Sequence, residues 1–268
     1  MESQKENDSR RGQGLVHIGD LTKHLPGNNI SAASKSDPPE QQYDCVACRD
    51  AHFVHPCDRE TGRVDYSRTV PCECVQERLA REKLQGMLQM CEMPPATEKM
   101  TFDNFEVSPR LKEVYEAALA LAEGRSTSNW LTLISDVGRG KTHLLIATCR
   151  HWLTRGKPAR YAYVPLLMEE LRRGYREDGD MSFDRRFDFF LNVPLLALDD
   201  LGTENRTPWV QEKLDTIIDY RLMNGLALVV TTNLTIDDLN FRVAARLRRH
   251  GKIIFIDAPD HTTIKRGK

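Results

Sequence analysis

Short apolar runs alternate with amphipathic segments along the chain from about residue 105 onward. Five runs of four to six residues are rich in aliphatic and aromatic side chains, and they lie at 130–134, 160–164, 193–198, 226–231 and 253–256. Runs of this kind are typical of strands buried on both faces of a parallel sheet. Between them, apolar residues recur every three or four positions, as in helices that pack on a sheet. The pattern therefore predicts an α/β fold with a parallel five-stranded sheet flanked by helices.

Capping residues and helix breakers predict where several helices begin and end. We expect helices over 108–124 and 207–225, because each segment begins with Ser or Thr followed by Pro and ends at Gly. A further helix is predicted over 165–174, between a proline and a glycine, and a charged helix over 76–94.

The amino-terminal part of the chain differs in composition from the rest. Residues 1–40 are rich in Ser, Asn, Gly, Lys and Pro, which predicts a mostly flexible segment. Within it, 15–25 has apolar residues at helical spacing and could be either a partner-docking helix or a transient one. Residues 41–94 hold most of the seven cysteines and are predicted to form a small metal-binding, partner-docking module. Residues 95–268 form the predicted main domain.

The segment after the first apolar run has the composition of a phosphate-binding loop. Gly138 and Gly140 precede Lys141 and Thr142, and an amphipathic helix follows, predicted to end near residue 156. Backbone N–H groups of such a loop and the positive end of the helix attract phosphate. Lys141 would reach the outer phosphates of ATP, and the Thr142 hydroxyl would ligate Mg²⁺. The alternative is a chance Gly-Lys-Thr in a surface turn, which the flanking strand and helix disfavour.

Polar residues end two of the predicted strands. Asp199 and Asp200 follow the run at 193–198, and Asn233 follows the run at 226–231. Since the carboxyl ends of parallel strands line the ligand crevice, we expect all three to face the phosphate loop. Asp199 would hold Mg²⁺ through water, Asp200 would orient or deprotonate the attacking water, and Asn233 would position that water. The alternatives are an N-capping acid pair and a turn asparagine.

One arginine is a candidate for completing the nucleotide site of a neighbouring subunit. Arg246 lies in the arginine-rich segment 243–249 of a predicted late helix. Phosphoryl transfer is accelerated by an arginine supplied from outside the site, although a run of arginines is more often a solvated helix face. Arg221 is a less favoured candidate for the same role.

Four cysteines occur in two close pairs and predict a zinc site. They are Cys45, Cys48, Cys72 and Cys74. Four thiolates can form a tetrahedral Zn²⁺ site, and metal binding would fold a segment too small to bury a core. The loop between the pairs contains His52, His55 and Cys57, any of which could replace one ligand. Four reduced thiols without metal are the alternative.

Two clusters combine arginine with aromatic residues, as sites for single-stranded nucleic acid do. The first comprises Arg172, Arg173, Tyr175 and Arg176, which we take as the candidate DNA-binding residues. The second comprises Arg185 and Arg186 with Phe187, Phe189 and Phe190. The aromatic residues could equally belong to the core, and this is the favoured interpretation for Phe189 and Phe190.

Composition narrows the class of protein. Hydrophobic residues make up 40% and charged residues 29% of the 268 residues, as in soluble globular proteins. A net charge of −1 provides no global attraction to nucleic acid, so such contacts require a local basic patch. No apolar run approaches membrane-spanning length, and the first residues are polar, so we expect a cytoplasmic protein with no membrane contact.

These residues together resemble the DnaC/IstB-type branch of AAA+ ATPases, from about residue 41 onward. The matching segments are the cysteine pairs, Phe102-x-x-Phe105, 138–143 and 199–204, with Asn233 and Arg246-Leu247. The resemblance adds Arg139 and His143 to the nucleotide-binding residues. It implies an AAA+ P-loop domain without a large helical lid, preceded by the zinc-binding module.

Three positions depart from the pattern of that branch. Ser135 replaces the first glycine of the phosphate loop, which would loosen nucleotide binding. Asp200 stands where most AAA+ ATPases have glutamate, so hydrolysis could be slow, with Glu204 a possible helper. The closing arginine after an Asp-aromatic pair is missing, and Lys265 or Arg266 is a weak substitute.

The resemblance implies an ATP-dependent helicase loader. Its amino-terminal part would bind a hexameric replicative DNA helicase, and its ATPase domain would bind ATP and single-stranded DNA. Subunits would self-associate through the ATPase domain, with slow, DNA-stimulated hydrolysis timing helicase release. The alternatives are an IstB-like transposition ATPase that acts on duplex DNA and a nucleotide-gated binding module with little turnover.

Overall fold

A computed structural model describes the backbone of residues 15–17, 42–58, 60–176 and 182–260. It describes the side chains of these residues except at 15–17, 174–176 and 182–183. The chain divides into two compact units, Met1–Glu82 and Lys83–Lys268, and each is described by itself.

The first unit contains a three-stranded antiparallel sheet. Its strands are β1 (Leu15–His17), β2 (Phe53–Pro56) and β3 (Val70–Pro71), in the order β1-β2-β3. The predicted helix over 15–25 is therefore wrong at its first three residues, and its remainder lies outside the described residues. Three residues at helical spacing carry little information, and pairing with β2 decides the conformation.

The second unit is built on the five-stranded parallel sheet that the sequence predicts. The strands are β4 (Trp130–Ile134), β5 (Ala159–Tyr163), β6 (Leu195–Asp199), β7 (Ala227–Thr232) and β8 (Lys252–Phe255). Their order is β5-β6-β7-β4-β8, and every neighbouring pair is parallel. The phosphate-loop strand β4 thus lies beside β7, and β6 lies on the far side of β7. This order brings the carboxyl ends of β4, β6 and β7 together.

Besides a short 3₁₀ helix, Pro95–Thr97, the described residues form seven α-helices. They are α1 (Glu73–Cys91), α2 (Lys112–Ala122), α3 (Lys141–Thr154), α4 (Val164–Arg176), α5 (Ser182–Asn192), α6 (Pro208–Met223) and α7 (Phe241–His250). The end of α1 packs with α2 and α3 on one face of the parallel sheet, and α4 to α7 pack on the other. Helices therefore flank both faces, as predicted. None of the described helices combines the length and the apolar character needed to span a membrane.

The structure corrects the start of one predicted helix and adds a helix that was not predicted. The helix predicted over 108–124 begins at Lys112, because Leu111 donates its N–H to the Ser108 carbonyl at 2.9 Å in a preceding turn, and the cap position makes no side-chain hydrogen bond. The predicted end at Gly124 is confirmed, with φ of +72°. Helix α5 is not predicted at all. After β8, the described residues 256–260 form no helix.

Candidate nucleotide and metal sites

The loop between β4 and α3 has a backbone that requires its glycines. Gly138 and Gly140 have φ of +81° and +88°, in the left-handed region that favours glycine. A Cβ on Gly140 would also lie 2.9 Å from the Phe105 ring. Ser135 is not among the described residues with positive φ, so the first loop position accommodates a side chain.

Lys141 is enclosed by hydrogen-bond acceptors. Its Nζ donates to the carbonyl of Ser135 at 2.7 Å, to the Ser135 hydroxyl at 3.0 Å and to the Asp136 carbonyl at 2.8 Å. A further bond of 2.8 Å goes to Asn233 Oδ1. Burial lowers the pKa of Lys141, and the nearby charges of Asp200 and Asp199 act in the opposite direction. A buried cation at the start of a helix is well suited to bind phosphate oxygens.

Asp199, at the end of β6, is buried and accepts hydrogen bonds from three hydroxyl groups. Its Oδ1 accepts hydrogen bonds from Thr142 at 3.0 Å and from Thr231 at 2.6 Å. Its Oδ2 accepts one from the Tyr161 hydroxyl at 3.0 Å. Burial and the Asp199 charge raise the pKa of Tyr161, which therefore remains a neutral donor. Carboxylate and hydroxyl oxygens are the ligands that Mg²⁺ prefers, so Thr142 and Asp199 fit that ion.

Asp200 and Asn233 form the next part of the same network. Asp200 has φ of +61°, a conformation that non-glycine residues seldom adopt, and its N–H donates to the Thr231 hydroxyl at 2.9 Å. Its Oδ1 accepts from Asn233 Nδ2 at 2.5 Å. Because Asn233 also accepts from Lys141, the amide bridges the phosphate-loop lysine and the second carboxylate. The expected juxtaposition of the loop and the two strand ends is present.

A cavity of about 610 Å³ opens between these groups. Its lining includes the loop residues 137–143, residues 104–106 and the polar residues Asp199, Asp200 and Asn233. Cavities of 300–1,000 Å³ are typical of small-molecule sites. An anion-binding loop at one side and two carboxylates at the other make this one suitable for a nucleotide with a divalent cation.

Arg139 and His143, which the family resemblance placed at the nucleotide, also hold neighbouring segments against the loop. Arg139 donates to the carbonyl of Ala258 and, at 2.8 Å, to Asp136. His143 Nε2 lies 2.8 Å from the Thr101 carbonyl, and its ring packs edge-on against Phe105 with centroids 5.1 Å apart. Both residues line the cavity.

The two candidate arginines differ sharply in their surroundings. Arg221 is fully buried, and its guanidinium donates to the main-chain carbonyls of residues 190, 191, 193, 194 and 227. Such an arginine cannot reach another subunit, so the alternative role suggested for Arg221 is wrong. Arg246 lies on α7 and forms a two-bond ion pair with Asp219 of α6. It is not part of the cavity lining.

The four predicted cysteines of the first unit come together. Their sulfur atoms all lie within 4.8 Å of one another, with Cys45 and Cys72 3.8 Å apart and Cys48 and Cys74 3.6 Å apart. Tetrahedral Zn–S bonds of ~2.3 Å would place sulfurs about 3.8 Å apart, so the cluster is compatible with zinc. Asp50 fixes the first turn by accepting from the N–H of Cys45 at 2.9 Å.

The residues considered as substitute ligands have other contacts. His55 Nδ1 lies 2.9 Å from the Arg68 carbonyl, and Cys57 Sγ donates to the Asp58 carbonyl at 3.7 Å. Neither they nor His52 belong to the four-cysteine cluster found among the described residues.

The predicted DNA-binding residues are only partly described. Arg172 lies over the ring of Trp209 at 5.8 Å, and Arg173 is exposed. The side chains of Tyr175 and Arg176 lie outside the described residues. Phe190 is buried in the core, as the core interpretation predicted. In the second cluster, Lys213 lies over Phe187 at 5.7 Å, a contact between helices that the sequence does not reveal.

Fold and site together define an ATP-binding P-loop protein of the AAA+ type. A family model described as IstB-like ATP binding protein matches residues 60–243, which is more than half of the chain. The chain belongs to this family.

Three relatives come from Bacillus subtilis strain 168. YqaM is 27% identical over 63% of this chain and 55% of its own length. The phage-like element PBSX protein XkdC is 23% identical over 78% of this chain and 79% of its own length. The replicative helicase loader DnaI is 27% identical over 41% of this chain and 34% of its own length. The chain thus spans about half of YqaM and a third of DnaI. A fourth relative, the putative ATP-binding protein Rv3427c in an insertion sequence of Mycobacterium tuberculosis, is 22% identical over 69% of this chain and 71% of its own length.

Solved structures share the fold. The DnaC helicase loader aligns with a TM-score of 0.55 at 22% identity, over 61% of this chain and all of that one. A DnaI structure aligns with a TM-score of 0.51 at 25% identity, over 63% of this chain and 94% of that one. These likenesses show the AAA+ P-loop fold.

Proposed function

We propose that this protein is an ATPase that loads a replicative DNA helicase onto single-stranded DNA. The observation that carries the ATPase part is the continuous hydrogen-bonded network Lys141–Asn233–Asp200 beside Thr142–Asp199 at the mouth of one cavity. The loader part is supported by the similarity to DnaI and by the fold shared with DnaC.

Each residue of the network has a role in phosphoryl transfer. The loop N–H groups and Lys141 bind the phosphates, and Thr142 with Asp199 holds the ion. When bound, Mg²⁺ neutralises developing charge on the phosphate oxygens. Asp200 accepts a proton from, or orients, the attacking water, and Asn233 positions it. The amide oxygen of Asn233 accepts from Lys141 and its amide nitrogen donates to Asp200, which places Asn233 between the phosphate-binding lysine and the water-orienting carboxylate.

The remaining roles require partners. Arg246 would enter the nucleotide site of a neighbouring subunit, which its position outside the cavity lining permits. Cys45, Cys48, Cys72 and Cys74 would hold Zn²⁺ in a module, 41–94, that docks on the hexameric helicase. Arg172, Arg173, Tyr175 and Arg176 would contact single-stranded DNA through phosphates and stacking.

Replacing the phosphate-loop lysine tests the nucleotide site. Lys141→Ala removes charge-assisted bonds to phosphate, so we expect ATP affinity to fall at least about tenfold while the thermal midpoint stays close to that of the wild type. Lys112→Ala, at an exposed position on α2, is the matched control. Titration calorimetry with ATP and Mg²⁺ measures the affinity of each variant, and thermal unfolding measures its midpoint. Equal affinity in all three proteins would refute the site.

Capture of the cell's replicative helicase tests the loader. We expect helicase to be retained on immobilised protein, and ATPase activity to rise with single-stranded DNA. The rival is a transposition ATPase, favoured by the similarity to Rv3427c. That rival predicts no helicase capture and stimulation by duplex DNA instead.

A further inference from the structure

Three hydroxyl groups from three different elements converge on the buried carboxylate of Asp199. Thr142 of α3 and Thr231 of β7 both donate to Oδ1, whereas Tyr161 of β5 donates to Oδ2. Asp199 itself is only 5% exposed. The carboxylate is therefore held from both neighbouring strands as well as from the phosphate-loop helix.

The contact of Tyr161 depends on the reach of its side chain. In the register of β5 and β6, the residue opposite Asp199 is Tyr163, and Tyr161 lies opposite Ala197. A short hydroxyl side chain at position 161 would not span this offset along the strand. The ring is buried in the core on the side of α1 to α3, which fixes its direction.

We propose that Tyr161 is a positioning residue for the carboxylate that holds the magnesium ion, an inference that rests on the proposed ATPase function. An ionised carboxylate offers about four acceptor positions. The three hydroxyls occupy three of them, two on Oδ1 and one on Oδ2. The remaining position is on the oxygen that Tyr161 contacts, so this tyrosine sets the direction in which Asp199 can accept a bond from a metal-bound water.

Tyr161→Phe removes one oxygen atom and keeps the ring, which makes it the test variant. We expect the Mg²⁺ concentration that gives half-maximal tightening of ADP binding to rise about fivefold, as for loss of one hydrogen bond. ADP binding in EDTA should be unchanged. Tyr220→Phe is the matched control, since that hydroxyl donates to Asn192 at 2.6 Å on an exposed surface. Thermal unfolding confirms that both variants are folded.

A double-mutant cycle gives a second, independent measurement. In an Asp199→Asn background, Tyr161→Phe should leave the Mg²⁺ dependence unchanged, because the positioned carboxylate is already absent. Additive effects would overturn the inference, as would a wild-type Mg²⁺ dependence in Tyr161→Phe or an equal loss of affinity with and without Mg²⁺. A wild-type protein that binds no nucleotide would instead refute the proposed function itself.

Discussion

At the scale of single residues, Ser135 stands where phosphate loops usually begin with glycine. Its hydroxyl is one of four acceptors around Lys141 Nζ, although an ammonium group has only three hydrogens. The Ser135 hydroxyl therefore competes with phosphate oxygens for a bond from Lys141. This competition opposes the binding of ATP phosphates by Lys141.

Ser135→Ala should consequently bind ATP more tightly than the wild type. Alanine removes the hydroxyl without adding the backbone freedom of glycine, and the backbone at this position tolerates a side chain. We expect a gain of about threefold in ATP affinity by calorimetry, within the usual range for one hydrogen bond. Ser67→Ala, which removes a hydroxyl outside the second unit, should leave ATP affinity unchanged. Weaker binding by Ser135→Ala would show that the hydroxyl contacts the nucleotide.

Motif spacing predicts some residues of the site and cannot predict others. Lys141 and Thr142 follow glycines in one short segment, and Asp199 ends an apolar run, so each carries its own local signal. Tyr161 and Thr231 have no such signal. Their hydroxyls reach Asp199 only because β5 and β7 flank β6. The order of strands in the sheet cannot be predicted from the sequence of any single strand.

At the scale of secondary-structure elements, the ion pair between Arg246 of α7 and Asp219 of α6 invites two explanations. It could serve only to fasten the two helices, or it could hold Arg246 until a neighbouring subunit's phosphate competes for it. Asp219→Ala and Arg246→Ala each break the same pair. Each should lower the free energy of unfolding by roughly 1 kcal/mol, because the pair is partly exposed.

Catalysis separates the two explanations. If Arg246 acts on a neighbouring site, only Arg246→Ala should abolish the rise in specific ATPase activity with protein concentration, while Asp219→Ala retains it. Arg242→Ala, an exposed position on the same helix, is the matched control. Equal ATPase activity in Arg246→Ala and Asp219→Ala would show that Arg246 serves only to hold α7 against α6.

Helices and strands could be predicted from the sequence where burial alone determines the pattern of apolar residues. The five central strands read as apolar runs because helices cover both faces of the sheet. The amino-terminal strand β1 was mistaken for a helix, since three residues acquire their conformation by pairing with β2. Helix α5 was missed although Phe183, Phe187 and Phe190 recur at helical spacing, because the segment was interpreted only as a cluster of arginine and aromatic residues. The start of α2 was misplaced because the Ser-Pro pair forms a turn before it.

At the scale of the whole molecule, the two units are stabilised by different means. The second unit has two large apolar clusters, one on each face of its sheet. Among the described residues of the first unit, the buried apolar cluster comprises Cys48, Val54 and Cys72. A cluster of this size offsets little of the conformational entropy of folding, so we expect a metal ion held by the four cysteines to stabilise this unit.

Removal of the metal should therefore unfold the first unit and leave the nucleotide site intact. We expect one zinc per chain by atomic absorption, and none in Cys74→Ser, with rapid proteolysis confined to 42–82 in that variant or after chelation. ATP affinity should be unchanged, because every residue of the nucleotide site lies in 83–268. Cys57→Ser is the matched control, since that thiol is outside the cluster and should keep the zinc. A metal-free wild-type protein with a protease-resistant first unit would show that four reduced thiols suffice.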